Sequence, residues 1–143
     1  MKLKVKKIST DAKLPSYAHA GDSGMDLYST EDAVLQPGDI KVVGTGLAVS
    51  MPKGFEAQIR PKTGLTSKFG LTVLNTPGTI DSCYRGELKV ILINLGKEPY
   101  RVEKGKKIAQ MVISRVEEAQ IETVEELDET TRNAGGFGST GFG

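Results

Sequence analysis

The chain has 143 residues, enough for one domain with a sizeable core and too few for two. Its longest apolar run, Val90 to Ile93, excludes a membrane-spanning helix. One Cys (Cys83) and one His (His19) exclude an internal disulfide, a Cys/His zinc cluster and zinc deaminase chemistry.

Nineteen bases stand against eighteen acids, but seven of the acids lie between Glu117 and Glu129, where there is no base. The remainder is basic enough to tolerate an anionic ligand. No arginine-rich run with interleaved aromatics occurs, so no nucleic-acid partner is expected.

The chain opens on M-K-L-K-V-K-K-I, which alternates apolar and basic side chains from Leu3 to Ile8. That is the period of a half-buried strand at an edge or interface and not the apolar stretch of a signal peptide, so a cytoplasmic protein with no membrane partner is expected. A polar loop leads to A-G-D-S-G-M-D-L-Y-S (Ala20 to Ser29), where glycines bracket acids just before a strand.

Short strands then recur between turn signals: Ala33 to Leu35, Ile40 to Val43, Leu47 to Met51 and Phe55 to Arg60, with Pro37-Gly38-Asp39 and Pro52-Lys53-Gly54 among the turns. Even spacing of this kind predicts an all-β antiparallel sandwich or barrel, not βαβ units. P-K-T-G-L (Pro61 to Leu65) follows, and a short helix over Thr63 to Phe69 opening at Thr63 would present a hydroxyl and free amides where an anion is stabilised. An N-cap without a ligand is the simpler use of such a start.

The thirteen residues Asn75 to Glu87, N-T-P-G-T-I-D-S-C-Y-R-G-E, lie between an extended run, Leu71 to Leu74, and a strongly β-forming run, Leu88 to Asn94. They should form a hairpin with its polar tip in solvent, carrying Asp81, Tyr84, Asn75, Gly78 and Gly86; turns select these residue types, and so does a site that reads a flat polar ring. Leu88 to Asn94 is apolar on both faces and should run mid-sheet or line an interface.

Tyr100 and Val102 start another strand, and G-K-K-I-A-Q (Gly105 to Gln110) leads into Met111 to Val116. Gln110 sits among apolar residues and needs hydrogen-bond partners from backbone or ligand. Ile121, Val124 and Leu127 recur every three residues in the acidic stretch and suggest a second short helix. The last twelve residues, R-N-A-G-G-F-G-S-T-G-F-G, hold five glycines and should form a mobile tail until something holds it. Arg132, Phe137, Ser139 and Thr140 arm that tail with a phosphate fork, a ring and two hydroxyls.

G-T-I-D-x-x-Y-R-G-E resembles the third motif of the trimeric deoxyuridine triphosphatases (dUTP pyrophosphatases, dUTPases), and the other four family motifs occur in order between Ala20 and Gly141. The resemblance implies a β jelly roll of the β-clip type, assembled as a homotrimer whose sites each draw on all three subunits. It divides the chain into a core, residues 1–116, an acidic connector, 117–131, and a flexible arm, 132–143, that closes over a neighbour's site.

It further implies hydrolysis of dUTP to dUMP and pyrophosphate with Mg2+, limiting uracil in DNA and supplying dUMP for thymidylate synthesis. By resemblance, Asp81 activates the attacking water and Asp26 acts on the metal through water. Tyr84 packs under the deoxyribose. Asn75, with the backbone of Gly78, Thr79, Ile80, Asp81 and Lys89, reads uracil. Lys62, Thr63 and Gly64 fall on the phosphate-binding second motif and Gln110 on the fourth. Arg132, Phe137, Gly138, Ser139 and Thr140 fall on the fifth, which stacks on the base and clamps the γ-phosphate.

The chain departs from the family pattern at Lys62 (commonly Arg), Thr63 (Ser), Cys83 (Asp), Lys106 and Lys107 (Asp and Arg) and Asn133 (Gly). Two rival readings are a dCTP deaminase and a non-catalytic nucleotide-binding module. The arm and the intact third motif point away from the first, and the retained Asp81 from the second.

Overall fold

Alternating apolar residues broken by Gly, Pro and Asp leave little room for helix. The computed structural model describes all residues, Met1 to Gly143, and contains eleven strands and one helix. In chain order these are β1 (Lys4–Lys7), β2 (Gly24–Tyr28), β3 (Ala33–Leu35), β4 (Ile40–Gly44), β5 (Leu47–Ser50) and β6 (Phe55–Arg60). The helix α1 (Thr63–Phe69) follows, then β7 (Leu71–Val73), β8 (Gly78–Ile80), β9 (Lys89–Asn94), β10 (Tyr100–Val102) and β11 (Lys107–Arg115).

All named strand pairs are antiparallel. They form a four-stranded sheet in the order β2-β11-β6-β8, a three-stranded sheet β4-β9-β7, and two strand pairs, β1-β5 and β10-β3. β1 has β5 as its one partner, the edge position its alternation predicts. β9 runs through the middle of its sheet, as its apolar character on both faces requires. Leu27, Leu47, Leu92 and Met111, all fully buried, belong to a core cluster of 19 residues drawn from nearly every strand.

Three expectations are corrected. The segment between β7 and β9 is not a simple hairpin tip: β7 does pair with β9, Val73 opposite Leu92, but β8 leaves midway to pair with β6 in the other sheet. Its three residues complete that sheet's edge while the flanking strands stay behind. The helix covers the expected residues, Thr63–Phe69, but Lys62 and not Thr63 stands at its N-cap, in extended conformation and with no capping side chain. The acidic connector forms no helix; Ile121 is 92% and Leu127 84% exposed, and without a surface to bury them a three-residue repeat has nothing to stabilise it.

Candidate active site

The family's motif residues gather in two places and leave a third group unattached. The first gathering is the end of the four-stranded sheet. Met25, Asp26 and Leu27 are all buried, at 7%, 3% and 0% exposed. Successive strand residues face opposite sides, so Asp26 points away from the side its two neighbours share.

Gln110 lies directly opposite Asp26 on β11 and opposite Arg60 on β6. Its amide donates to the Pro61 carbonyl at 2.9 Å, so backbone supplies the partner that its burial demands. A Cβ on Gly24 would stand 2.2 Å from the Gln110 Oε1, which is why the neighbouring strand carries no side chain there.

The Asp26 carboxylate is held by two ammonium groups. Lys62 donates to Oδ1, and Lys107 Nζ lies 2.6 Å from Oδ2. A bulge between Lys107 and Ala109 makes the second contact: it sets Lys107 opposite Tyr28, on the Asp26 face, where regular pairing would put Ile108. Burial alone would raise the Asp26 pKa, but the hydrogen bonds and charges of Lys107 and Lys62 outweigh it and hold the carboxyl below its ordinary value. The same hydrogen bond, with the carboxylate charge, pushes the Lys107 ammonium up. Thr63 and Gly64 are exposed on the first turn of α1 beside Lys62.

The second gathering is a cavity of about 290 Å3 between the two larger sheets. One wall is Thr79 and Ile80 of β8 with Asp81 and Tyr84 of the following loop; the other is Val42 of β4, Glu87, and Lys89 and Ile91 of β9. Asp81 also borders a wider groove of about 1000 Å3 with Cys83, Arg85 and Glu56. Asn75 and Gly78 are neighbours, the Asn75 Nδ2 lying 3.3 Å from where a Gly78 Cβ would be, just outside the cavity wall.

The loop winds on itself. Tyr84 N donates to the Asp81 carbonyl at 3.1 Å, Arg85 Nη1 reaches the carbonyls of Ser82 and Tyr84 at 2.6 and 2.9 Å, and the Tyr84 hydroxyl donates to the Glu87 carbonyl at 3.0 Å.

The third group, Arg132, Phe137, Gly138, Ser139 and Thr140, joins neither gathering. The arm is a chain of turns bonded to itself, such as Gly135 N to Arg132 O at 2.9 Å and Ser139 N to Gly136 O at 3.0 Å. Arg132 Nε donates to the Gly135 carbonyl at 2.8 Å, and Phe137 is fully exposed, at 112%. Asn133 takes φ +40, a left-handed conformation that suits a position where the family commonly has Gly.

A family model described as dUTPase matches residues 10–141 of this chain. The chain belongs to the dUTPase family. Among its relatives, the deoxyuridine 5'-triphosphate nucleotidohydrolase of Clostridioides difficile is 56% identical over 140 residues, 98% of each chain. That of Nautilia profundicola is 55% identical over 99% of each. Among solved structures, the Staphylococcus bacteriophage 80alpha dUTPase with dUPNHPP superposes with a TM-score of 0.92 at 31% identity, covering 99% of both chains. A point mutant of the dUTPase from phage phi11 of S. aureus, described with a structural Mg(II) ion, gives 0.84 at 28% identity, covering 90% of this chain and 100% of that one.

The dUTPase motifs thus account for Asp81, Tyr84, Thr79, Ile80 and Lys89 on one cavity and for Asp26, Lys62 and Gln110 around one buried carboxylate. Val42, Ile91 and Glu87 were not assigned from sequence. Val42 and Ile91 face each other across β4 and β9, a contact only the fold creates, whereas Glu87 closes the third motif and could have been taken from it.

Proposed function

We propose that this protein is a dUTP diphosphatase that hydrolyses dUTP to dUMP and pyrophosphate, working as a homotrimeric jelly roll with shared sites. Membership of the dUTPase family over nearly the whole chain supports the reaction. The observation that carries the site assignment is the cavity, which brings the third-motif carboxylate, ring and backbone to one wall.

In this reading uracil and deoxyribose enter the cavity. Thymine is excluded because its methyl group crowds the wall, and cytosine because its donors and acceptors are reversed and leave buried groups unpaired. The Tyr84 ring lies under the sugar and leaves no room for a 2′-hydroxyl. Asp81 is exposed at the cavity rim, where it can orient a water and accept its proton as that water attacks the α-phosphate. Departure of pyrophosphate completes the exchange.

Magnesium, when bound, neutralises the charge that repels the attacking water. The residues present fit an ion held mainly by phosphate oxygens. No cluster of three or more His, Cys, Asp or Glu exists to cage it, and Asp26 is a single buried carboxylate with lone pairs to spare beyond its two lysines. Lys62 and Lys107 outnumber that carboxylate, so the corner keeps a net positive charge suited to a triphosphate.

Shared sites are supported by distance. Asp26 on β2 and Asp81 after β8 belong to opposite edges of one sheet. Three strand spacings and four residues along β6 separate them by about 20 Å, too far for both to serve one triphosphate. A neighbouring copy supplies the missing half, and the arm of residues 132–143, unattached in its own chain, closes over a neighbour. We place the protein in the cytoplasm.

The test is release of pyrophosphate and nucleoside monophosphate from dUTP, dCTP, dTTP and UTP in parallel, with magnesium and with chelator. Magnesium-dependent cleavage of dUTP alone is expected. Ammonia from dCTP, or no turnover by folded protein, would sink the assignment.

A further inference from the structure

The loop from Asp81 to Glu87 is held at its two ends by different sheets. Its entrance follows β8, where Ile80 pairs with Ala57 of β6. Its exit is bound to the turn between β4 and β5. Buried Leu88 donates to the Leu47 carbonyl at 2.7 Å and accepts from Thr45 N at 3.2 Å and from Thr45 Oγ1 at 2.7 Å.

Glu87 adds a side-chain bond across the same seam. Its Oε1 accepts the Gly46 N–H at 3.0 Å, its Oε2 lies 3.8 Å from Lys89 Nζ with the side chain only 26% exposed, and its carbonyl takes the Tyr84 hydroxyl. A Cβ at Gly44 would stand 2.6 Å from Oε1, so β4 is bare where the carboxylate enters.

We propose that Glu87 is a positioning residue of the nucleotide cavity: its carboxylate latches the Asp81–Glu87 loop to the β4–β5 turn and so sets the gap between Tyr84 and the facing Val42 and Ile91. The inference rests on the reading of this cavity as the deoxyuridine site. The physical reason is a division of labour within the loop. Asp81 follows directly on β8 and is located by β6, whereas Tyr84 is tied by its hydroxyl to the backbone of Glu87. Without the carboxylate the buried Gly46 N–H loses its acceptor, a cost that favours moving the exit of the loop. Tyr84 moves with it and Asp81 much less. The latch therefore governs affinity and base and sugar selection, not the proton transfer.

The experiment uses Glu87→Ala, Glu87→Gln, Gly44→Ala and the Glu87→Ala/Gly44→Ala double variant in the full chain. It reads kcat and KM for dUTP, discrimination against UTP and dTTP, and dUMP affinity by calorimetry. Glu87→Ala is expected to raise KM roughly tenfold, with a parallel loss of dUMP affinity, weaker discrimination and a kcat within about threefold of the parent. Glu87→Gln keeps an acceptor for Gly46 and should recover most of the loss. Gly44→Ala pushes on the same carboxylate, so it should reproduce the effect alone and add nothing in the Glu87→Ala background.

Folded Glu87→Ala with unchanged KM and selectivity would overturn the proposal, as would a loss that only tracks the amount of folded protein. If Glu87→Ala does not fold, unchanged values in Gly44→Ala overturn it instead. A parent that binds dUMP without hydrolysing dUTP would sink the catalytic reading alone, because the dUMP affinities of the same variants still decide the latch.

Discussion

Asp26 has almost no access to water, and it stays ionised because two lysines reach it. Its native pKa lies below the ordinary 3.8, so its contribution to stability is complete above that value and is lost as pH falls through the depressed one. Lys107 behaves inversely: its pKa is raised above 10.5, so its contribution holds below that value and is lost as pH rises through the raised one. Asp26→Asn should therefore lower stability by about 1–3 kcal/mol near neutrality, discounted because both lysines are partly in water. In urea unfolding the gap from the parent should close in acid below pH 3.8; a gap that persists there would disprove the ion-pair account.

Asp81→Asn should bind dUTP and turn it over about 100-fold to 10,000-fold more slowly, and parental rates would remove it as the base. Cys83 is exposed, no histidine lines the groove it borders and the one histidine, His19, is far from it in sequence, so Cys83→Ser should keep most activity in the same assay. Asp81 and Tyr84 line the same cavity, and that they belong to one site was legible from their motif. The Lys107 contact was not, because a bulge decides which of Lys107 and Ile108 shares a face with Asp26.

At the scale of elements, strand positions followed from alternation and turn residues almost throughout: β3 and β6 begin and end where the pattern predicts. Asn94 shows what the pattern leaves out. It closes the apolar run of β9, yet its amide Nδ2 donates to the carbonyls of Leu35 and Glu98 at 2.9 and 2.8 Å, and its Oδ1 accepts from Gly96 N at 2.9 Å. One fully buried side chain ties the end of β3 to the turn before β10. Asn94→Ala would strand these groups and should cost about 3 kcal/mol in urea unfolding; a loss under about 1 kcal/mol would mean water replaces the amide.

For the whole molecule, the two gatherings of site residues lie on opposite edges of one sheet and the arm touches neither. If sites are shared, mixing and refolding equal amounts of inactive Asp26→Asn and Asp81→Asn chains should restore roughly a quarter of parental activity, the statistical share of sites with both carboxylates intact. No recovery would confine each site to one chain. Removing residues 132–143 should leave thermal unfolding nearly unchanged, since none of the hydrogen bonds of the arm reaches a strand, while dUTP turnover falls steeply.

Sequence alone determined the order and character of most strands, the extent of the one helix and the identity of the motif residues. Each depends on neighbours a few positions apart, through side-chain alternation, turn chemistry and residue type. Tertiary structure decided that β8 leaves its hairpin, that Val42 and Ile91 form a wall opposite Tyr84, that Glu87 ties the loop after β8 to the β4–β5 turn and that Asp26 and Asp81 belong to opposite edges of one sheet. Those arrangements come from strand pairing between distant segments, where register is selected by burial summed over a whole sheet and by single bulges. No local pattern carries that sum.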